Sequence, residues 1–309
     1  MNTLVTAREV TRAMSCSASI VVLAPTDDVA AELARTGTRR VHELEQRWTR
    51  FSASSELSRL NAATGGVVRV SRDTVRLLEA MVRAWHATDG AFDPTLLCPL
   101  VGLGYAASRD DETRRTSLAS HWERRGRVAE ILVDPESCDV CLPSGTVIDA
   151  GGIGKGLAAD LVVRELIDAG ASGALVEIGG DLAVGGDAPG ASGWRIAVTD
   201  PHGGAPAVDV ELARGAVATS STRLRTWSAA GEPRHHLLDA RTLRPTDTDV
   251  VACTVLAGSA TWAEAFTKVA FVDGVAPALE RYDRLGLAAR VSTADGHHHC
   301  SRTWGTFCR

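Results

Sequence analysis

Residues 148–160 read Ile-Asp-Ala-Gly-Gly-Ile-Gly-Lys-Gly-Leu-Ala-Ala-Asp, placing four glycines and one lysine between a hydrophobic stretch ending at Val147-Ile148 and an amphipathic one running to about Asp168. These residue types suit an oxyanion. Glycine backbones reach positive φ and bring N–H groups close to a phosphate, a following helix offers its N-terminal dipole, and Lys155 adds a full charge. The segment fits neither familiar phosphate loop. A Walker A loop needs glycine where Asp149 stands and Ser or Thr where Gly156 stands. A dinucleotide fingerprint needs its third glycine at Leu157.

Other segments share this character, setting polar or glycine residues where a strand or helix ends. They are Gly90-Ala91-Phe92-Asp93-Pro94-Thr95, Glu177-Ile178-Gly179-Gly180-Asp181, Ala218-Thr219-Ser220-Ser221, the run from His235 to Thr242, and Ala263-Glu264-Ala265-Phe266-Thr267-Lys268. Each one alone is a turn or a cap.

In order, and together with Glu56-Leu57-Ser58-Arg59-Leu60-Asn61, these segments resemble the ApbE family of FAD:protein FMN transferases from roughly Met14 to Phe307. The resemblance implies an α+β fold of mixed sheets with flanking helices, in two lobes with the FAD site between them. It implies a magnesium ion on the FAD pyrophosphate and transfer of FMN to a Ser or Thr hydroxyl of an acceptor flavoprotein, with release of AMP. Hydrolysis of FAD to FMN and AMP, or FAD binding without catalysis, are the alternatives; a flavin oxidoreductase lacks a nicotinamide fingerprint to support it.

By the same resemblance, His236 belongs to the FAD-binding set and is the base for the acceptor hydroxyl, a role suited to the side chain that ordinarily titrates near neutrality. Met14, Ala91, Phe92 and Asp93 match segments that contact the flavin nucleotide. Lys155 faces the phosphates, and Asp149, like Asp181, braces a glycine turn in that FAD-binding set. The metal positions are a loop carbonyl at Gly152 and two late-helix positions, here Glu264 and Lys268. Glutamate still offers a hard oxygen; a protonated lysine offers none.

Two readings of Lys268 compete. One is a surface Glu-Lys pair at i, i+4, and the other an altered cation site in which the ammonium weakens or replaces the magnesium. Thr267 points about 100° away around the helix and makes a poor substitute ligand. A second departure lies after His236. Asp239-Ala240-Arg241-Thr242-Leu243 lacks the proline and glycine of the family's turn, which predicts a differently shaped loop.

The elements that must carry these residues follow from periodicity and caps. A strand is expected over Ser17–Leu23, a helix from Thr26-Asp27-Asp28 toward Phe51, and another over about 71–88 ended by Gly90. Short strands are expected at 131–133, 140–142 and 147–148, and then, after a helix, at 174–178, 182–184, 194–198, 208–212, 216–219 and 250–255. Helices are expected from Ser259 to Val272 and from Val275 to Tyr282. We read a single domain, helix-rich over about 1–126 and mixed over about 127–309.

Composition narrows the partners. The chain has 309 residues, 45% hydrophobic and 23% charged, with a formal net charge of -5. That balance argues against a nucleic-acid surface, and short basic clusters such as Arg39-Arg40 and Arg124-Arg125 read as solvated faces. Met1–Val22 holds no apolar run of signal or membrane-spanning length, and seven scattered cysteines do not make a secreted disulfide framework, so a cytoplasmic home without membrane insertion is expected. Cys138-Asp139-Val140-Cys141 reads as two ordinary thiols in a hairpin, and His297-His298-His299-Cys300 as a polar strand after the Asp295-Gly296 turn. Tyr105 and Trp227 read as core aromatics.

Overall fold

The first hairpin shows how local sequence sets the frame. Strand Val5–Ala13 pairs antiparallel with Cys16–Ala24 in a register that ends at Ala13 opposite Cys16, leaving Met14 and Ser15 as a two-residue turn. Both have positive φ, 52° and 59°. That is the type I′ geometry demanded by strand twist and normally supplied by Asn-Gly, so two side chains here hold a backbone that favours glycine. Ser15→Gly is therefore expected to stabilise the protein by about 1 kcal/mol and raise Tm by about 2 °C. An unchanged or lower melting temperature would refute strain at this turn.

The structure is a computed structural model, and it describes residues 4–63, 65–118, 122–123, 125–190, 192–203, 208–229 and 231–308. Arg124, one of the basic residues read above, lies outside the described residues. The fold is α+β. Its helices are α1 (Asp27–Trp48), α2 (Glu56–Ala62), α3 (Arg72–Ala87), α4 (Leu97–Gly102), α5 (Gly154–Asp168), α6 (Ala260–Asp273) and α7 (Val275–Leu285). Serine caps start three of them: Ser55, Ser71 and Ser259 each accept a backbone N–H of the first turn.

The chain divides into two compact units, each discontinuous in sequence. One holds the described parts of Met1–Glu43, Lys155–Ser221 and Asp249–Arg309; the other holds those of Leu44–Gly154 and Thr222–Thr248. The first is built on an eight-stranded sheet. Its order is Val5–Ala13, Cys16–Ala24, Gly173–Ile178, Asp181–Gly186, Gly215–Ser221, Val250–Ala257, Ala288–Thr293, His298–Cys300. All its paired neighbours run antiparallel. Helix α6 packs on the strands Gly215–Ser221 and Val250–Ala257. Gly37 lets α1 approach the sheet and α5, because a Cβ there would stand 3.0 Å from the Ile20 side chain. A separate hairpin, Trp194–Val198 with Val208–Leu212, joins Leu23, Leu182, Val217 and Trp304 in one apolar cluster.

The second unit contains α2, α3, α4 and a small sheet ordered Val67–Arg69, Asp139–Cys141, Leu132–Asp134. Two hairpins complete it: Thr226–Ala229 with Glu232–His235, and Leu238–Asp239 with Arg244–Pro245. Leu96, Leu100, Leu238 and Ala240 form a buried cluster beneath the latter.

Most expected elements are present within a residue or two. Val147-Ile148 is the exception, for these residues form no strand. The Ile148 backbone is instead held by a side chain: Ile148 N donates to Asn61 Oδ1 at 2.8 Å and Ile148 O accepts from Asn61 Nδ2 at 2.8 Å. An amide side chain imitates a strand neighbour, which satisfies both buried backbone groups without a ladder.

Candidate active site

The motif at residues 56–61 places no reactive group; it fixes its surroundings. Glu56 Oε2 accepts from Ser71 N at 3.1 Å and Ser71 Oγ at 2.8 Å, and also from Thr74 Oγ1, which anchors the start of α3. Asn61, at the other end of α2, grips the residue that leads into the glycine loop. Next to it, Asp149 N donates to Pro94 O at 2.9 Å, bringing the Gly90–Thr95 segment to the same loop.

Ala91, Phe92 and Asp93 are buried there. Asp93 Oδ1 accepts from Thr95 N at 2.8 Å and Thr95 Oγ1 at 2.6 Å. Burial nonetheless pushes its carboxyl above the ordinary range, against these bonds and the Arg125 charge. Gly151 and Gly152 follow Asp149, whose Oδ2 lies over Gly151, and Gly152 takes φ 93°. No L side chain adopts that angle readily.

Arg50, which the sequence did not single out, is 5% exposed in this unit. Its Nη2 donates to Tyr105 O at 2.9 Å, its Nη1 to Thr116 Oγ1 at 2.5 Å, and its Nε stands 3.7 Å from Asp149 Oδ1. The guanidinium sits 4.3 Å from the Phe51 ring centroid and 4.7 Å from that of Tyr105, which stacks on Trp227 at 5.3 Å. A buried arginine thus stands beside the loop aspartate, its charge facing that carboxylate and its plane against two rings. Only proximity in space reveals it, since arginine is common at helix ends.

His236 lies half-buried between the strand Glu232–His235 and the buried pair Leu237-Leu238. Burial pushes the neighbouring His235 imidazole below its usual range. Leu243 itself takes φ 59°, the left-handed conformation that glycine favours, and Arg241 clamps Asp239 through Nε at 3.0 and 3.1 Å and Nη2 at 2.9 Å. A turn is thus made without proline or glycine. Burial pushes the Asp239 carboxyl up, but the Arg241 bonds outweigh it and hold the group below the ordinary carboxylate range.

The remaining candidates lie in the large-sheet unit. Met14 is at the strained hairpin turn. Lys155, in the first turn of α5, turns its Nζ onto two carboxylates, Asp181 Oδ2 and, at 2.9 Å, Glu264 Oε1. The second contact is charge to charge rather than an aligned hydrogen bond. Asp181 is 1% exposed, and its other oxygen accepts from Thr219 N at 3.1 Å, so it braces the Gly-Gly-Asp turn to the neighbouring strand.

Glu264 is likewise 1% exposed, which removes the reading of a surface Glu-Lys pair. Its Oε2 accepts from Gly156 N at 2.8 Å, capping the start of α5. Burial opposes its charge, but Lys155 and Lys268 together hold the carboxyl below the ordinary range. Lys268 Nζ donates to the Glu264 carbonyl at 2.7 Å and to Thr267 Oγ1 at 3.2 Å. Thr267 is buried, its hydroxyl engaged by Glu264 O and Ser220 Oγ, each at 2.7 Å.

A hard divalent ion needs a surplus of anionic oxygens. Two ammonium groups match the two carboxylates here, and one ammonium covers the oxygens of residues 264 and 267, so this donor set does not fit magnesium. Among the described residues, no three His, Cys, Asp or Glu side chains form a metal-holding group. Cys141 Sγ faces Gly65 O at 3.3 Å in the small sheet, and His298, on the outer strand of the large one, is held by Asp200 at 3.0 Å and Ser292 at 2.9 Å.

The glycine-lysine loop, the arginine beside its aspartate and the histidine-bearing hairpin sit in an α+β fold whose main sheet is antiparallel. The ApbE family model matches residues 14–291, and the chain belongs to the ApbE family. A Treponema pallidum (strain Nichols) protein named FAD:protein FMN transferase is 31% identical over 236 residues, 71% of this chain and 65% of that protein. An Escherichia coli (strain K12) protein of the same name is 31% identical over 287 residues, 89% of this chain and 80% of its own length. The crystal structure of the ApbE protein from Thermotoga maritima aligns with a TM-score of 0.85 at 26% identity, covering 98% of this chain and 99% of that one. The Vibrio cholerae flavin transferase ApbE shares the fold, with a TM-score of 0.80 at 23% identity over 99% and 100% of the two chains.

Proposed function

We propose that the chain is an FAD:protein FMN transferase, acting on a Ser or Thr hydroxyl of an acceptor flavoprotein. The observation that carries this reading is family membership over residues 14–291, with relatives of that name. In the reaction the acceptor oxygen bonds to the FMN phosphorus while that phosphorus releases the bridging oxygen, so AMP departs. His236 takes the hydroxyl proton. Met14, Ala91, Phe92, Asp93, Asp149, Lys155 and His236 bind FAD, and the charge of Lys155 meets those of the pyrophosphate.

Seven cysteines scattered along the sequence without the spacing of a secreted disulfide framework suit a reducing compartment, and we place the reaction in the cytoplasm on that ground. No helix of the described residues is long and apolar enough to cross a membrane. Incubation with FAD and a candidate acceptor is expected to leave flavin fluorescence on the acceptor band of a denaturing gel, with AMP in equal amount. AMP and FMN released without labelling of any acceptor would identify a hydrolase, and intact FAD a binder.

A further inference from the structure

Resting on the FAD-binding reading above, we infer that this chain meets the FAD pyrophosphate with a fixed ammonium pair, Lys155 and Lys268, in place of a bound divalent cation. Three features of the large-sheet unit carry it. The first is charge balance: Lys155 bridges Asp181 and Glu264, both 1% exposed, and Lys268 adds a second ammonium charge acting on Glu264, so the two carboxylates are matched and no surplus negative charge remains to draw in a dication. The second is steric: Lys268 Nζ stands 2.7 Å from the Glu264 carbonyl and 3.2 Å from Thr267 Oγ1, near the spacing at which its N–H groups satisfy oxygens that a hard ion would seek.

The third is rigidity. Glu264 is tied to Gly156 N at 2.8 Å, and Thr267 to Ser220 at 2.7 Å, so the oxygens cannot turn away to build another coordination shell. An ammonium held by neutral and anionic oxygens supplies positive charge and N–H donors to phosphate without coordination geometry.

The test measures FAD affinity by flavin fluorescence, in EDTA and in excess magnesium, for the wild-type chain, Lys268→Thr and Lys268→Met. The wild type is expected to bind FAD equally in both media. Lys268→Thr should lose about tenfold in EDTA, the size of one charge-assisted contact, and recover with magnesium. Lys268→Met keeps the stem but supplies neither charge nor oxygen, and should be weak in both. Wild-type affinity that collapses in EDTA overturns the inference, as does a Lys268→Met chain that binds like the wild type. A manganese titration followed by electron paramagnetic resonance, without nucleotide, separates this inference from the functional reading. Manganese left free by the wild type supports the ammonium pair, and tight binding overturns it, whether or not FAD binds. Loss of FAD binding in every chain and medium would instead sink the transferase reading.

Discussion

Replacing His236 with asparagine is expected to lower FMN transfer by about two to four orders of magnitude while leaving FAD affinity and Tm near wild type. The expectation follows from how the residue is held. Leu237, Leu238 and Ala240, just after it in sequence, are all buried, and Arg241 ties down Asp239, so the backbone at 236 is set by packing rather than by the imidazole. Asparagine can occupy that backbone but cannot accept and pass on a proton. Single-turnover transfer, with FAD affinity measured separately, distinguishes the roles. A rate near wild type would remove His236 as the base, and a parallel fall in Tm and FAD affinity would mark it as structural.

Gly156→Ala is expected to damage the packing of the fold severely. A Cβ there would stand 2.3 Å from Ala260 O, 2.5 Å from its carbonyl carbon and 2.8 Å from Thr261 N. That obstacle is backbone, and it is pinned: both Ala260 N and Thr261 N donate to the Asp160 carboxylate at 2.8 Å. Gly156 is pinned too, by its bond to Glu264 Oε2. With neither side able to yield, α5 and α6 must separate. The cost is about 3 kcal/mol or more, an overpacking penalty at its upper end, and Tm should fall by about 6–10 °C. Urea unfolding or a melting curve reads this directly, and an unchanged midpoint would show that the helices have room to shift. The glycine after Lys155 is thus required by helix packing, a reason separate from any approach to phosphate.

Much of this was legible in the chain itself. Helix starts at Ser71 and Ser259 were written as capping serines ahead of apolar periodicity, and the order of short motifs pointed to the family. The strand Val5–Ala13 was not legible, because an edge strand whose positions alternate between partly buried and exposed up to a buried Ala13 has no apolar run to mark it. Ala288–Thr293 escaped for the opposite reason. All six residues are buried, yet Arg290, Ser292 and Thr293 make the segment read as polar. Asn61 was seen only as part of a motif. That it takes the place of a strand beside Ile148 depends on two segments meeting, and no local pattern encodes that meeting.

By itself the sequence determined the helix and turn chemistry, the set of candidate residues and the family they point to, because caps, periodicity and motif spacing act over a few neighbouring residues. Only the tertiary structure decided what those residues touch. It put the Lys155 ammonium on Asp181 and Glu264, buried Glu264 where a surface pair was one reading, and laid Lys268 along its own helix over the oxygens of residues 264 and 267. The physical reason is that charge pairing in a protein interior is set by distance and desolvation between segments remote in sequence. The type of a residue states which charge it can carry, and the fold chooses the partner that meets it.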